Sequence, residues 1–240
     1  ATLAGLIKLT GNPRFGYDAW RRFIQLFGKI ALNVDDRHFD EAMHAMKRKV
    51  GAAQDIDLKA EHLSELADQF AKIIETRTGK PFPEDPYQQL EIAVGAVFNS
   101  WNGKRAVDYR RQFRITKEMA NGTAVNVCTM VFGNMGNDSG TGVGFTRNPG
   151  TGENIIYGEY LVNAQGEDVV AGIRTPQKIA TLQQAMPKVY DQLMGIRQKL
   201  EKHYRDMQDI EFTVERERLF MLQTRTAKRT GFAEVRIAVE

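Results

Sequence analysis

DIEFTVERERLFMLQTR, residues 209–225, decides how the rest of the chain is read. Ile210, Phe212 and Val214 alternate with Asp209, Glu211 and Thr213. Phe220, Leu222 and Thr224 alternate with Met221, Gln223 and Arg225. Period-two alternation predicts strands with unlike faces, and Arg216-Glu217-Arg218 between them predicts a hairpin turn. Centring that turn on Glu217 sets Glu211 opposite Gln223, Asp209 opposite Arg225 and Phe212 opposite Leu222. The apolar face then holds Ile210, Phe212, Val214, Phe220 and Leu222. The other face gathers Asp209, Glu211, Gln223 and Arg225, with opposed Cβ atoms roughly 4.5–5.5 Å apart. A carboxylate beside an amide offers two hard oxygen donors, which suits Mg²⁺ completed by phosphate and water. Arg225 could grip a phosphate oxygen bidentately. The plainer alternative is a solvated sheet face carrying an Asp–Arg pair. A register slip of one residue would scatter the group.

Upstream, GNMGNDSGTGVGFTRNPGTGE has seven glycines in 21 residues. Glycine permits positive φ and close backbone approach, and successive N–H groups can cradle an anion. Neither G-x-x-x-x-G-K-[ST] nor G-x-G-x-x-G is present, so P-loop and Rossmann readings fail. A surface hairpin loop is the simpler reading of the same glycines. GTAVNVCTMVFG, rich in β-branched residues, predicts a mostly buried strand, with Cys128 in the core. IIYGEYLV predicts another strand. QAMPKVYDQLMGIRQKLEKHYRDM predicts one long helix, with Met186, Val189, Leu193, Ile196, Leu200 and Tyr204 in a stripe.

The first third reads helical. Trp20, Phe23, Ile24, Phe27 and Ile30 recur at helical spacing, with Asp18 in the N-cap region. Phe39, Met43, Met46 and Val50 form a second stripe, and Leu63, Leu66, Phe70 and Ile73 a third. TGKPFPEDP, residues 78–86, breaks the pattern with three prolines and a glycine. It places a boundary between a mainly helical subdomain, 1–85, and a second lobe, 86–240. That lobe opens on a helix with Leu90, Val94, Val97 and Trp101 in line. The fold class is α+β, with a mixed or antiparallel sheet and helices in the second lobe.

The 240 residues, 42% hydrophobic and 26% charged, are those of an ordinary globular protein with a sizeable core. The net charge of +3 is spread along the chain. No basic stripe with interleaved aromatics points to nucleic acid. No apolar run reaches the length of a membrane span, and the first residues lack a signal-peptide layout. A single cysteine excludes an internal disulfide and suits a reducing compartment, so a cytoplasmic protein is expected. His38, His44, His62 and His203 are scattered on predicted helices, and there is no H-E-x-x-H or cysteine pair for zinc.

MVFGN, SGTGVGFTRNPGTGE, YGEYLVNAQGEDVVAGIRTP, LEKHYRDMQDIEF and MLQTR follow one another in this order. Together they closely resemble the nucleotide-binding part of the pyruvate, phosphate dikinases, over most of the chain and most closely over 122–230. The long stretch NAQGEDVVAGIRTP favours these over the pyruvate, water dikinases, which stand as the alternative beside a non-catalytic interaction module. The resemblance implies an ATP-grasp fold, in which two α+β lobes clasp ATP. It implies that Glu211 and Gln223 contact metal and triphosphate, with Asp209 and Arg225 beside them and Arg225 balancing charge in the transition state. Ser139, Gly140, Thr141 and Gly142 would form a loop closing over the phosphates. Met130, Val131 and Phe132 would form the hinge against adenine. Glu159, Glu167 and Asp168 would line the site or face a docking domain. The implied partners are ATP with Mg²⁺, inorganic phosphate and a phosphohistidine domain of the same full-length chain, in an intact homodimer. The family's N-terminal lobe precedes the equivalent of Ala1, and its phosphohistidine motif and pyruvate-binding barrel follow Glu240. The chain is therefore expected to be a central piece that does not run the whole reaction alone.

Overall fold

The computed structural model describes residues 3–170, 172 and 174–240. The chain forms two compact units, 1–127 and 128–240. The proline-rich stretch 78–86, expected to mark a boundary, lies inside the first of them.

The first unit is helical: α1 (Leu3–Thr10), α2 (Pro13–Ala31), α3 (Arg37–Val50), α4 (Ala60–Thr78), α5 (Pro86–Ser100) and α6 (Lys104–Gln112). Helix α2 starts at Asn12, whose side chain accepts from the Phe15 N–H, with Pro13 in the first turn. Asp18 is therefore inside the helix and not at its cap. It is buried against Arg21, 2.8 Å away. Gly51 and Gly79, both left-handed, end α3 and α4. The sequence stripes meet in one core of Ile24, Phe27, Phe39, Met43, Met46, Leu63, Leu66, Phe70 and Ile74. Ile30, at the edge of the α2 stripe, is 63% exposed. Helix α5 contributes no buried residue; only Ile92 and Ala93 lean on this core. The expected line of Leu90, Val94, Val97 and Trp101 has no core to enter there.

The second unit is built on strands β1 (Gly140–Phe145), β2 (Tyr157–Val162), β3 (Gln177–Lys178), β4 (Gln208–Glu215) and β5 (Arg218–Thr226). Helices α7 (Gly166–Val170), α8 (Leu182–Ala185), α9 (Pro187–Tyr204) and α10 (Gly231–Val239) complete it. Among the described residues the sheet has five strands in the order β3-β2-β1-β4-β5, every neighbour antiparallel. The whole chain is thus α+β, as expected. The long helix read from Gln184 is interrupted at Met186 (φ −143°, ψ 74°) and restarts at Pro187. Proline has no N–H to continue a helix but fits its first turn. Val189 and Leu193 of α9 pack with Leu182, Met186, Ile179 and Tyr160 on one sheet face, against Ile210, Phe212, Val214 and Leu219.

The stretch 122–132 corrects the sequence reading. It is neither strand nor buried: Val127 is 71% exposed, and Cys128 is exposed rather than in a core. β-Propensity measures fit to a pleated, half-buried surface, and among the described residues this segment pairs with no strand.

Candidate functional site

The register of β4 and β5 is the expected one at its open end: Glu211 pairs with Gln223, and Asp209 with Arg225. Nearer the turn it differs. Phe212 pairs with Met221 and Val214 with Leu219, because Leu222 is an extra residue in β5 opposite the Glu211–Phe212 step. The turn is the two residues Arg216 and Glu217, both at positive φ (50° and 59°), as a type I′ hairpin requires. The bulge lets Met221 and Gln223 face opposite sides of the sheet although two residues apart. Leu219 and Met221 therefore join the apolar face, whereas Leu222, expected there, is 56% exposed. Phe220 pairs with Thr213 on the outer side rather than the core side.

The outer face follows strand by strand. Glu159 pairs with Lys178 and Val143, Val143 with Glu211, and Glu211 with Gln223. These five residues form one row across all five strands. Tyr157, Phe145, Asp209 and Arg225 form the next row. Thus Glu159, Glu211, Gln223, Asp209 and Arg225, drawn from three strands, share one face. Asp209 accepts a 2.8 Å hydrogen bond from Arg225 Nε. That bond, with Glu211 adding to it, holds the guanidinium above its ordinary value. Among the described residues, neither the Glu211 nor the Gln223 side chain makes a hydrogen bond or ion pair.

Of Ser139, Gly140, Thr141 and Gly142, expected to form a loop, Ser139 alone lies outside the sheet. Gly140–Gly142 begin the central strand, and the Ser139 hydroxyl is buried, accepting from the Arg216 N–H at 3.0 Å. The Thr141 hydroxyl donates to the Phe212 carbonyl at 3.1 Å. Packing accounts for the glycines. A Cβ on Gly142 would lie 2.5 Å from the Phe212 ring, and one on Gly144 2.8 Å from Ile179. Small residues let the core side chains lie directly on β1.

Met130, Val131 and Phe132 lead into the sheet. Met130 is 58% exposed, and the Phe132 N–H donates to the Glu215 carboxylate at 2.7 Å. Glu167 is exposed on α7. Asp168 is buried there and accepts from the Gln165 N–H at 2.9 Å, which ties it to local structure. Lys178 and Glu215 were not singled out from the sequence. Glu215 continues the outward series Asp209, Glu211, Thr213, so the alternation contained that signal.

Glu211 and Gln223 are the residues whose chemistry fits a hard cation: one carboxylate and one amide, adjacent, on an open face. Among the described residues no group of three or more His, Cys, Asp or Glu could hold a metal by itself. The pair suits an ion that arrives with phosphate oxygens. No helix among the described residues is long and apolar enough to cross a membrane.

The family described as pyruvate phosphate dikinase, AMP/ATP-binding domain, matches residues 31–192 and 183–240. The chain is 58% identical, over its whole length, to a pyruvate, phosphate dikinase of Entamoeba histolytica, covering 27% of that protein. It is 54% identical, over 98% of its length, to the pyruvate, phosphate dikinase of Clostridium symbiosum, covering 27% of it. It is 54% identical, over 99% of its length, to pyruvate, phosphate dikinase 1, chloroplastic, of Zea mays, covering 25%. The chain thus spans about a quarter of the length of these curated relatives.

Proposed function

Because the chain belongs to the family of the pyruvate phosphate dikinase AMP/ATP-binding domain, we propose that its 128–240 unit is one lobe of an ATP-grasp clasp that holds Mg-ATP on the outer sheet face. In the intact protein the lobe serves the step ATP + phosphate + enzyme histidine → AMP + pyrophosphate + phosphohistidine, toward pyruvate–phosphoenolpyruvate interconversion. The histidine is carried on another domain of the full-length chain, and the intact protein is a homodimer. The observation that carries this reading is the register that sets Glu211 beside Gln223 and Asp209 beside Arg225 on that open face.

Phosphoryl transfer asks a protein mainly for positioning and charge neutralisation. Glu211 and Gln223 supply the oxygens that would hold Mg²⁺; when bound, it neutralises charge on phosphate oxygens. Arg225 is held by Asp209 through Nε, and a guanidinium has five N–H donors, so others serve the phosphates. It answers charge that builds in the transition state. Met130–Phe132 carries the base. Glu159, in the row of Glu211, lines the same face.

The test uses the full-length protein. Glu211→Ala and Gln223→Ala should each abolish ATP-dependent histidine phosphorylation, a loss of at least about a hundredfold. Phosphoenolpyruvate–pyruvate exchange, which needs no ATP, should persist. Wild-type rates in the ATP half-reaction would refute the assignment.

A further inference from the structure

We propose that Glu215 is a positioning residue for the nucleotide base: its carboxylate fixes the Met130–Phe132 backbone over the outer sheet face, a nucleotide's length from Glu211 and Gln223. The inference rests on the Mg-ATP reading above and gives it a base-binding end.

Three observations carry it. Glu215 accepts from the Phe132 N–H at 2.7 Å, across 83 residues of sequence. A carboxylate only accepts, and a charged acceptor makes a stronger bond than a neutral one. The chain just beyond is fastened as well. The Ala164 N–H donates to the Gly133 carbonyl at 2.9 Å, and Gln165 Nε2 donates to Asn134 Oδ1 at 2.9 Å. Gly133 is closely enclosed, since a Cβ there would lie 2.6 Å from the Gly140 carbonyl oxygen.

The second observation is one of face and distance. Along β4, Glu211, Thr213 and Glu215 alternate outward. Leu161, Thr141 and Thr213 form one outer-face row and are all buried. That row is covered, whereas the row of Val143 and Gln223 is open. Glu215 lies four residue steps along the strand from Glu211, about 13 Å at about 3.3 Å per step. This is the scale of a nucleoside triphosphate from base to terminal phosphate.

Third, the backbone is on offer. Among the described residues the main-chain groups of Met130 and Val131 make no hydrogen bonds. A base edge read by such groups is bound well only if they are already held in place, because ordering them on binding costs affinity. Glu215 supplies that order from the strand that also carries Glu211.

The test is titration of the full-length protein with Mg-ATP and, separately, with magnesium tripolyphosphate, which lacks the base. Glu215→Ala should weaken Mg-ATP about tenfold, the scale of one lost charge-assisted hydrogen bond, and leave tripolyphosphate unchanged. Glu215→Gln keeps an acceptor oxygen and should restore ATP affinity. Equal losses for both ligands, no loss for ATP, or a glutamine variant as poor as alanine would each overturn the role of Glu215. A wild type that binds neither ligand would instead overturn the nucleotide reading beneath it.

Discussion

Asp18 is buried inside α2 with Arg21 at 2.8 Å and Arg22 at 3.4 Å. Arg21 also reaches Asp55 at 3.4 Å, and Lys47 meets Asp55 at 2.9 Å. Arg14 donates to the Leu58 and Asp55 carbonyls at 2.9 and 3.0 Å. The network fastens the 51–58 connection to α2. Burial alone would push the Asp18 carboxyl up, but Arg21, then Arg22 and Arg14, outweigh it and hold it below its ordinary 3.8. A carboxyl lowered by folding adds stability above its unfolded value, and that stability disappears as pH falls through the folded value. Asp18→Asn leaves Arg21 buried without its nearest counter-charge and should cost about 3 kcal/mol at pH 7. Urea unfolding at a series of pH values should show wild type and variant converging below about pH 4, where an unperturbed carboxyl protonates. A constant gap down to the acid limit would show that Asp18 does not act through its charge. Asp18 was legible from the sequence only as a helix-start residue. Its partners are fixed by tertiary packing around Asp55, which no local pattern reveals.

Leu222 has a larger consequence than its exposed side chain suggests, since the extra residue keeps both faces of β5 correct. Were Leu222 paired in line instead of bulged, strict alternation would put Met221 and Gln223, two residues apart, on the same side. The expected core residues of β5 were Phe220 and Leu222; the structure puts Leu219, 9% exposed, and Met221 there instead. Leu219→Ala should therefore destabilise by about 2–3 kcal/mol, and Leu222→Ala by less than about 0.5 kcal/mol. Thermal or urea unfolding of the two variants measures the difference, and the reverse order would remove the bulge from the description. The Glu211–Gln223 and Asp209–Arg225 pairs were legible because counting from a turn centred on Glu217 gives the same partners as a tighter turn plus one bulged residue. The bulge itself was not legible, since period-two alternation has no signature for a single unpaired residue. The glycines of β1 misled for a related reason. Composition cannot separate a glycine that frees a loop from one that makes room for a Phe212 ring. The β-branched residues of 122–132 misled because propensity does not supply a strand partner.

At the scale of the whole molecule, the apolar stripes on α2, α3, α4 and α9 were readable as core, because a helix buries a fixed stripe whatever it packs against. The division of the chain was harder to read. Prolines at 81, 83 and 86 punctuate the sequence, but Pro86 only opens α5, and the compact units meet at 127/128. Between Gln112 and Gly140 no residue lies in a helix or strand, and none from 113 to 132 is buried. Exposed backbone outside regular elements is where proteases cut first. This stretch carries Arg114 and Lys117, whereas Arg147, Arg197 and Arg229 of the second unit are engaged with Glu201, the Thr146 carbonyl and Asp206. Brief trypsin treatment should therefore cut first after Arg114 or Lys117. The C-terminal product should persist as a resistant core, because the sheet, α9 and the row from Lys178 to Gln223 all belong to it. Mass spectrometry of the early products reads the cut site directly. A first cut inside β4–β5 or α9 would mean that the second unit is not the stable body that holds Glu211 and Gln223 in register.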